Sequence, residues 1–293
     1  MKNILVPTDF SDTATNAVKY AIELASLLDA KLTVLYVHTQ EVVVIDSLPV
    51  NLVYTEYLQV PDSVHKQMKK IKELVAAKPD LKARYLIKEG GVTEEVITQV
   101  QETEADLIVM GTEGVDSAYN LLWGSETVSI IGKRKCPVLA VPGNFTGTIK
   151  KGADFVFATD FERINDWYVL NLYKLLAQKL EAHINVFFVS KHGREKEDLE
   201  YEEDRYEMLK EYFDGLDITL IHSYEKDILH AVETFVKAKH ATLITMISHE
   251  RTFLENLFHK SITKEMALNT KVPFLAIPDA HLELNKSYEA NYW

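Results

Sequence analysis

The sequence is short of the residues that staple secreted proteins and of the runs that cross membranes. Its 293 residues include a single cysteine, Cys136, so no internal disulfide can form and a reducing cytoplasm is the compartment that suits the chain. No apolar run approaches the ~18 residues of a membrane span. The start, MKNILVPTDF, meets a proline and an aspartate before any signal-peptide core develops. Basic residues are outnumbered, 32 Lys and Arg against 44 Asp and Glu, and the resulting charge of -12 repels nucleic acid and anionic membrane at long range. Neither is expected as a partner. Glycine is sparse too, yet three of the eleven, Gly111, Gly114 and Gly124, share the stretch MGTEGVDSAYNLLWGSETV. What remains is ordinary core material, 47% hydrophobic and 26% charged, in a chain longer than the ~100–200 residues of one domain.

The chain repeats itself. ADLIVMGTEGVDSAYNLLWGSETVSIIGKRKCPVLAVP, from Ala105, aligns without a gap on ATLITMISHERTFLENLFHKSITKEMALNTKVPFLAIP, from Ala241. Met110 pairs with Met246, Ser125 with Ser261, Pro137 with Pro273 and Pro142 with Pro278, at a constant offset of 136 positions. The beginnings match as well: VPTDF at Val6 sets Asp9 over Asp160 in FATDF, at an offset of 151. One register held over that length indicates duplication, with domains over residues 1–143 and 152–279, a connecting stretch from Gly143, and a C-terminal extension over 280–293.

Each copy alternates short apolar strands with amphipathic helices. NILVPT, KLTVLYVH, LKARYLIKEG, DLIVMG and PVLAVP read as strands. SDTATNAVKYAIELASLLD, with Ser11 or Asp12 as its cap, PDSVHKQMKKIKELVAAK, TEEVITQVQETE and SETVSIIGKR read as helices. The alternation predicts an α/β protein of two tandem, doubly wound, parallel five-stranded sheets, Rossmann-like in each copy. TQEVVVIDSLPVNLVYTEYLQVP reads as a surface excursion. GREKEDLEYEEDRYEMLKEYF reads as a solvated helix with Leu199, Tyr206, Leu209 and Phe213 on a buried stripe. Trp167, Tyr168 and Tyr173 read as helix packing.

Gly111 ends an apolar strand, where ligands bind in open parallel sheets, and the strand ending at Asp9 is the other edge of that crevice if the two are neighbours. Gly124-Ser125 opens the predicted helix, so that glycine permits close approach and the amides behind a serine cap face an anion. A phosphate cradle and plain turn glycines fit this spacing about equally. The ten histidines show no short-spaced ligand set, so no metal is expected, and Cys136 reads as a buried small residue.

PTDFS after the first strand, Gly-x2-Gly-x9-Gly-Ser after the fourth and CPVLAVP as the closing strand together resemble the universal stress protein family, specifically its nucleotide-binding branch. The resemblance runs through both copies and implies an adenine nucleotide alpha hydrolase-like fold and an ATP site in the first. It places Asp9 and Val37 against adenosine, Pro7 and Thr8 around the pocket, and Met110, Gly111, Gly114, Gly124, Ser125 and Thr127 around ribose and phosphates. Glu113, between the glycines where many relatives have histidine, weakens phosphate binding unless a divalent cation such as Mg2+ intervenes. A further glycine is frequent where Ser117 stands.

In the second copy the equivalents of Gly111, Gly114 and Gly124 are Ile247, Glu250 and Lys260, which implies no ATP there and moves the reason for the glycines from turn geometry to a ligand. The leading reading is a cytoplasmic stress-response sensor or adaptor that binds ATP or a related adenine nucleotide. The alternatives are a slow ATPase or nucleotidyl enzyme, for which only Glu113 and Asp116 offer carboxylates, and a nucleotide-independent interaction module. In the last, the closing strands PVLAVP and PFLAIP pair across the copies as an intra-chain pseudo-dimer, compatible with a homodimer.

Overall fold

In Asn3–Pro7 every residue after the first is buried, so this strand has no polar face to turn to water and needs helices on both sides of its sheet. The computed structural model meets that need. It describes residues 1–39, 60–112, 121–161, 164, 167–189, 196–223, 225, 227–248, 266 and 271–279, with backbone alone at 121–125, 189, 196–199 and 202. The excursion expected after the second strand and the C-terminal extension lie largely or wholly outside these residues.

The elements in chain order are β1 (Asn3–Pro7), α1 (Asp12–Leu28), β2 (Lys31–His38), α2 (Asp62–Ala76), β3 (Ala83–Glu89), α3 (Val92–Glu102), β4 (Leu107–Thr112), α4 (Leu121–Lys133) and β5 (Val138–Pro142). They continue with β6 (Asp154–Thr159), a 3-10 turn at Trp167–Leu170, α5 (Asn171–Leu180), β7 (His183–Val189), α6 (Lys196–Tyr212), β8 (Ile218–Ser223), α7 (Ile228–Lys239), β9 (Leu243–Ser248) and β10 (Phe274–Pro278). The ten strands form one sheet in the order β3-β2-β1-β4-β5-β10-β9-β6-β7-β8. Each five-stranded half is parallel. The halves join where β5 and β10 run antiparallel, with Phe274 opposite Ala140, Leu275 opposite Leu139 and Ala276 opposite Val138.

Helices cover both faces, and the side is the same in each half. Residues of α1, α2, α5 and α6 share one buried cluster, while those of α3, α4 and α7 share the other. In α1 the buried positions Ala14, Ala17, Val18, Ala21, Ile22, Ala25 and Leu28 recur at intervals of three and four, one stripe of a 3.6-residue helix. Ser11 is its cap, accepting the Ala14 amide at 3.1 Å, and Asp29 closes it in the left-handed region at φ 51°. Leu209 of α6 and Phe213, the residue after its end, are fully buried, as the stripe predicts. The stretch from Gly143 crosses the seam between halves, held by the Asn16 side-chain amide, which donates to the carbonyls of Pro142 and Phe145 at 3.0 Å each. Phe145 meets Tyr20 edge-on at 6.0 Å.

Cys136 is 2% exposed, and its thiol donates to the Ala105 carbonyl at 3.3 Å. Burial pushes the thiol well above its ordinary range, and the carboxylate of Asp106 adds to the shift. Because thiolate is the reacting form, an aromatic disulfide reagent at pH 8 is expected to label the folded chain at least ~100-fold more slowly than the chain in denaturant. Labelling at the unfolded rate would contradict the buried placement.

Candidate functional site

The strand order reverses at β1. From there the chain moves to β2 and β3 on one side and to β4 and β5 on the other, so a crevice opens between the carboxyl ends of β1 and β4. The two strands are parallel neighbours, Ile4 beside Leu107 and Leu5 beside Ile108, which meets the condition set for Asp9. Pro7 and Thr8 are buried, and the Thr8 amide donates to Leu35 of β2 at 2.8 Å. Asp9 is half-buried at the rim, where Oδ1 accepts the Ser11 amide at 2.9 Å. Ser11 therefore caps the helix and Asp9 shapes the turn before it. Val37 packs its half-buried side chain on the α3 side of the sheet.

Gly111 has a reason of its own within the protein. A Cβ there would lie 2.8 Å from the Thr13 carbonyl oxygen and 2.9 Å from its carbonyl carbon, with Thr13 Cγ2 also at 2.8 Å. The first turn of α1 thus rests directly on the end of β4, and only glycine permits it. This corrects the inference that the scaffold has no need of this glycine. In the second half, where Ile247 takes the matching place, α5 begins only at Asn171, and the counterpart of Thr13, Ile164, lies before that helix.

Two further expectations change. The predicted helix start at Ser125 is too late, because α4 begins at Leu121 and carries Gly124 and Ser125 within it. In α1, α3 and α7 the amide of the fourth helical residue already donates to the residue before the helix, so the amides of α4 without intrahelical partners are those of residues 121–123, and neither Gly124 nor Ser125 is the cap. Thr127 is fully buried, and its hydroxyl donates to the Gly111 carbonyl at 3.2 Å. It ties α4 to β4 from behind the crevice rather than facing into it. Met110 is likewise buried, at 1% exposure. Gly114 and Glu113 lie outside the described residues. Among the described residues no three His, Cys, Asp or Glu side chains come together to hold a metal.

Aromatic residues that sequence reasoning passed over stand beside Asp9. Phe10 adopts φ 68°, its amide bonded to Thr8 Oγ1 at 3.0 Å, and its ring stacks on Tyr36 at 5.0 Å. Burial, and after it the nearby Asp9 carboxylate, raise the Tyr36 phenol above its ordinary range. The second half repeats this turn. Phe161 sits at φ 56°, bonded to Thr159 Oγ1 at 2.9 Å and stacked on Phe188 at 5.2 Å. The signal was available, since Thr-Asp-Phe stands in both copies. Its persistence where Gly111 is replaced shows that the turn serves the fold, whatever Asp9 does besides.

The model of the universal stress protein family matches residues 1–142. A universal stress protein of Methanocaldococcus jannaschii is 33% identical over 143 residues, which are 48% of this chain and 81% of that protein. A universal stress protein of Bacillus subtilis is 29% identical over 143 residues, 47% of this chain and 97% of that one. In three dimensions a universal stress protein from Archaeoglobus fulgidus superposes with a TM-score of 0.68 at 18% identity, covering 95% of this chain and 98% of its own. The single-unit relatives thus align with about half of the present chain, and the Archaeoglobus structure with nearly all of it.

Proposed function

The chain belongs to the universal stress protein family, and on that premise we propose that its first half binds ATP or a related adenine nucleotide at the β1/β4 crevice, and that the protein acts as a sensor or adaptor rather than by turnover. The observation that carries the reading is the half-buried carboxylate of Asp9 at the end of β1, beside the strand β4 whose following helix, α4, opens with unpaired amides. The Asp9 carboxylate suits ribose hydroxyls or the adenine amino group. Across the crevice, the free amides opening α4 are donors that suit phosphate. A carboxylate on the nucleoside side and amides on the phosphate side is the charge order the ligand requires. With Glu113 between the glycines, a divalent cation such as Mg2+ would offset its charge against the phosphates. The second half carries Ile247, Glu250 and Lys260 in place of the three glycines, and no nucleotide is proposed there.

Calorimetry with ATP and Mg2+ tests this. The wild type is expected to bind, Asp9→Ala to bind at least ~10-fold more weakly through loss of a charged acceptor, and Gly124→Lys to show no measurable heat. Mass spectrometry of protein purified without added nucleotide should reveal a co-purified adenine compound. An absence of ATP binding, or binding unchanged by Gly124→Lys, would remove the site.

A further inference from the structure

The large apolar side chains most exposed among the described residues gather in one place. Tyr168 is 57% exposed on the 3-10 turn, and Tyr201 and Met208 are 50% and 48% exposed on α6. Tyr168 therefore does not serve the helix packing expected of it from sequence, although its ring meets Tyr212 edge-on at 6.4 Å. On α6, Tyr201, Arg205, Met208 and Tyr212 follow one another at intervals of four, three and four, so they form one stripe. The stripe is pinned from below. The Arg205 guanidinium lies 4.7 Å over the Trp167 ring and donates to the Ile164 carbonyl. The Tyr212 hydroxyl donates to Asn171, and the Lys174 ammonium lies 4.8 Å over its ring. Tyrosine, tryptophan, methionine and arginine are the side chains enriched in protein interfaces, and side chains already held in place lose little freedom on contact.

The next stripe of α6, on the side away from the buried Leu209, is acidic. Glu200, Asp204, Glu207 and Glu211 are exposed there at the same spacing. Of the cations nearby, Lys210 pairs with Glu207 at 3.4 Å and Arg205 is turned to Trp167. The fold does not ask for this charge. The first half packs α2 against the same buried cluster, through Met68 and Ile71, yet exposes Lys66, Lys69 and Lys70. Residues 196–223, which hold α6 and β8, have three Lys and Arg against ten Asp and Glu, a net charge of -7, whereas residues 62–89, which hold α2 and β3, have eight against four, a net charge of +4. Like charges one turn apart destabilise a helix, so α6 carries a cost that a cationic partner removes.

We propose that α6 and the 3-10 turn are a docking surface for a basic amphipathic helix of another protein. Tyr201 and Met208 stand two turns apart, about 10 Å along the axis, so a partner helix laid along α6 meets them with apolar residues two turns apart in its own sequence. Tyr168 extends the apolar strip beyond Met208. The acids border the strip on one side, so the partner's lysines and arginines lie along one flank of its apolar face, their stems covering the tyrosine and methionine side chains while their charged ends meet the carboxylates. The surface belongs to the helix that joins β7 to β8 at the outer edge of the second half. It involves neither the β5–β10 seam nor the β1/β4 crevice and does not depend on the nucleotide reading.

A synthetic helix tests the proposal on the full chain. The probe is a fluorescent peptide of about five turns with leucines along one face and lysines along one flank of it. Fluorescence anisotropy at ~100 mM salt should give a dissociation constant below about 100 µM. Tyr201→Ser/Met208→Ser should weaken binding at least ~10-fold, and so should Glu200→Gln/Asp204→Asn/Glu207→Gln/Glu211→Gln. The same peptide with glutamate for lysine, and a lysine oligomer without leucine, should each bind at least ~10-fold more weakly than the probe. Methyl resonances of the methionines locate the contact in the wild type itself. The Met208 signal, identified by its loss in Met208→Leu, should shift on titration while those of the buried Met68, Met110, Met246 and Met266 stay in place. A probe that fails to bind, that binds Tyr201→Ser/Met208→Ser as tightly as wild type, or that leaves the Met208 signal unmoved would overturn the proposal. Equal binding of the lysine oligomer would do the same, because it would reduce α6 to a solvated acidic face.

Discussion

Gly111→Val is expected to lower the thermal midpoint by roughly 6–12 °C, following a loss of about 3 kcal/mol from overpacking. The new branch meets main chain, because the nearest atoms include the Thr13 carbonyl carbon and oxygen at 2.9 and 2.8 Å. A side chain could turn aside, but the first turn of α1 is fixed by the Ser11 cap and by the buried stripe below it. Either α1 lifts from β4 or the end of β4 bends. The accompanying Thr13→Ala change removes Cγ2 and leaves the carbonyl, so Gly111→Val/Thr13→Ala should remain well below Thr13→Ala alone. Since Asp9 precedes the displaced turn, ATP affinity should fall together with stability. Gly124→Lys is expected to change affinity with the midpoint nearly unmoved. A Gly111→Val midpoint within about 1 °C of wild type would refute the close packing of α1 on β4.

The second large effect lies in the other half. Tyr173 on α5 is fully buried, with the rings of Phe155, Phe157 and Phe213 each 5.9 Å away. Tyr173→Ala removes that ring from the centre of the cluster and should cost about 3–5 kcal/mol. Tyr173→Phe should go the other way. Among the described residues the Tyr173 hydroxyl has no hydrogen-bond partner, and a buried donor in that state costs about 1–3 kcal/mol, so the phenylalanine variant is expected to melt a few degrees above wild type. Burial raises the Tyr173 phenol well above its ordinary range. The unfolded chain therefore loses this proton first as pH rises, and the stability it contributes is present below about pH 10 and drains away above it. Tyr173→Phe should flatten that part of the alkaline decline. Melting curves of the three proteins from neutral pH to pH 11 check both points, and a phenylalanine variant less stable than wild type would show that the hydroxyl is satisfied.

The architecture was legible because it rests on patterns that a sequence displays. Buried strands read as apolar runs, α1 as a stripe behind Ser11, and the register of Pro137 with Pro273 and Pro142 with Pro278 marked β5 and β10 as equivalent, the two strands that pair. The site was less legible. Leu121, Leu122 and Trp123 gave no cap signal, so Ser125 looked like a helix start when it is the fifth residue of α4. The contact of Gly111 with Thr13 depends on how deeply α1 begins over β4, a matter of tertiary packing that no spacing encodes. A comparison of glycines between the copies could not reveal it, because the letters do not show how far each first helix reaches over its sheet. Phe10 and Phe161 were visible as letters in Thr-Asp-Phe, but their left-handed backbone was not, since an aromatic residue rarely adopts it.

The seam also has a consequence for synthesis. β5 is complete at Pro142, whereas its antiparallel partner begins at Phe274. At ~5–20 residues per second a ribosome needs on the order of ten seconds to make the intervening chain. During that interval the first half can fold, but one side of β5, an all-buried strand, has nothing to pair with, and such edges recruit other nascent chains. Pro137 and Pro142 stand at either end of it, and proline donates no ladder hydrogen bond. They confine the bare edge to a few residues, so the strand that later joins the two halves is kept short enough to wait.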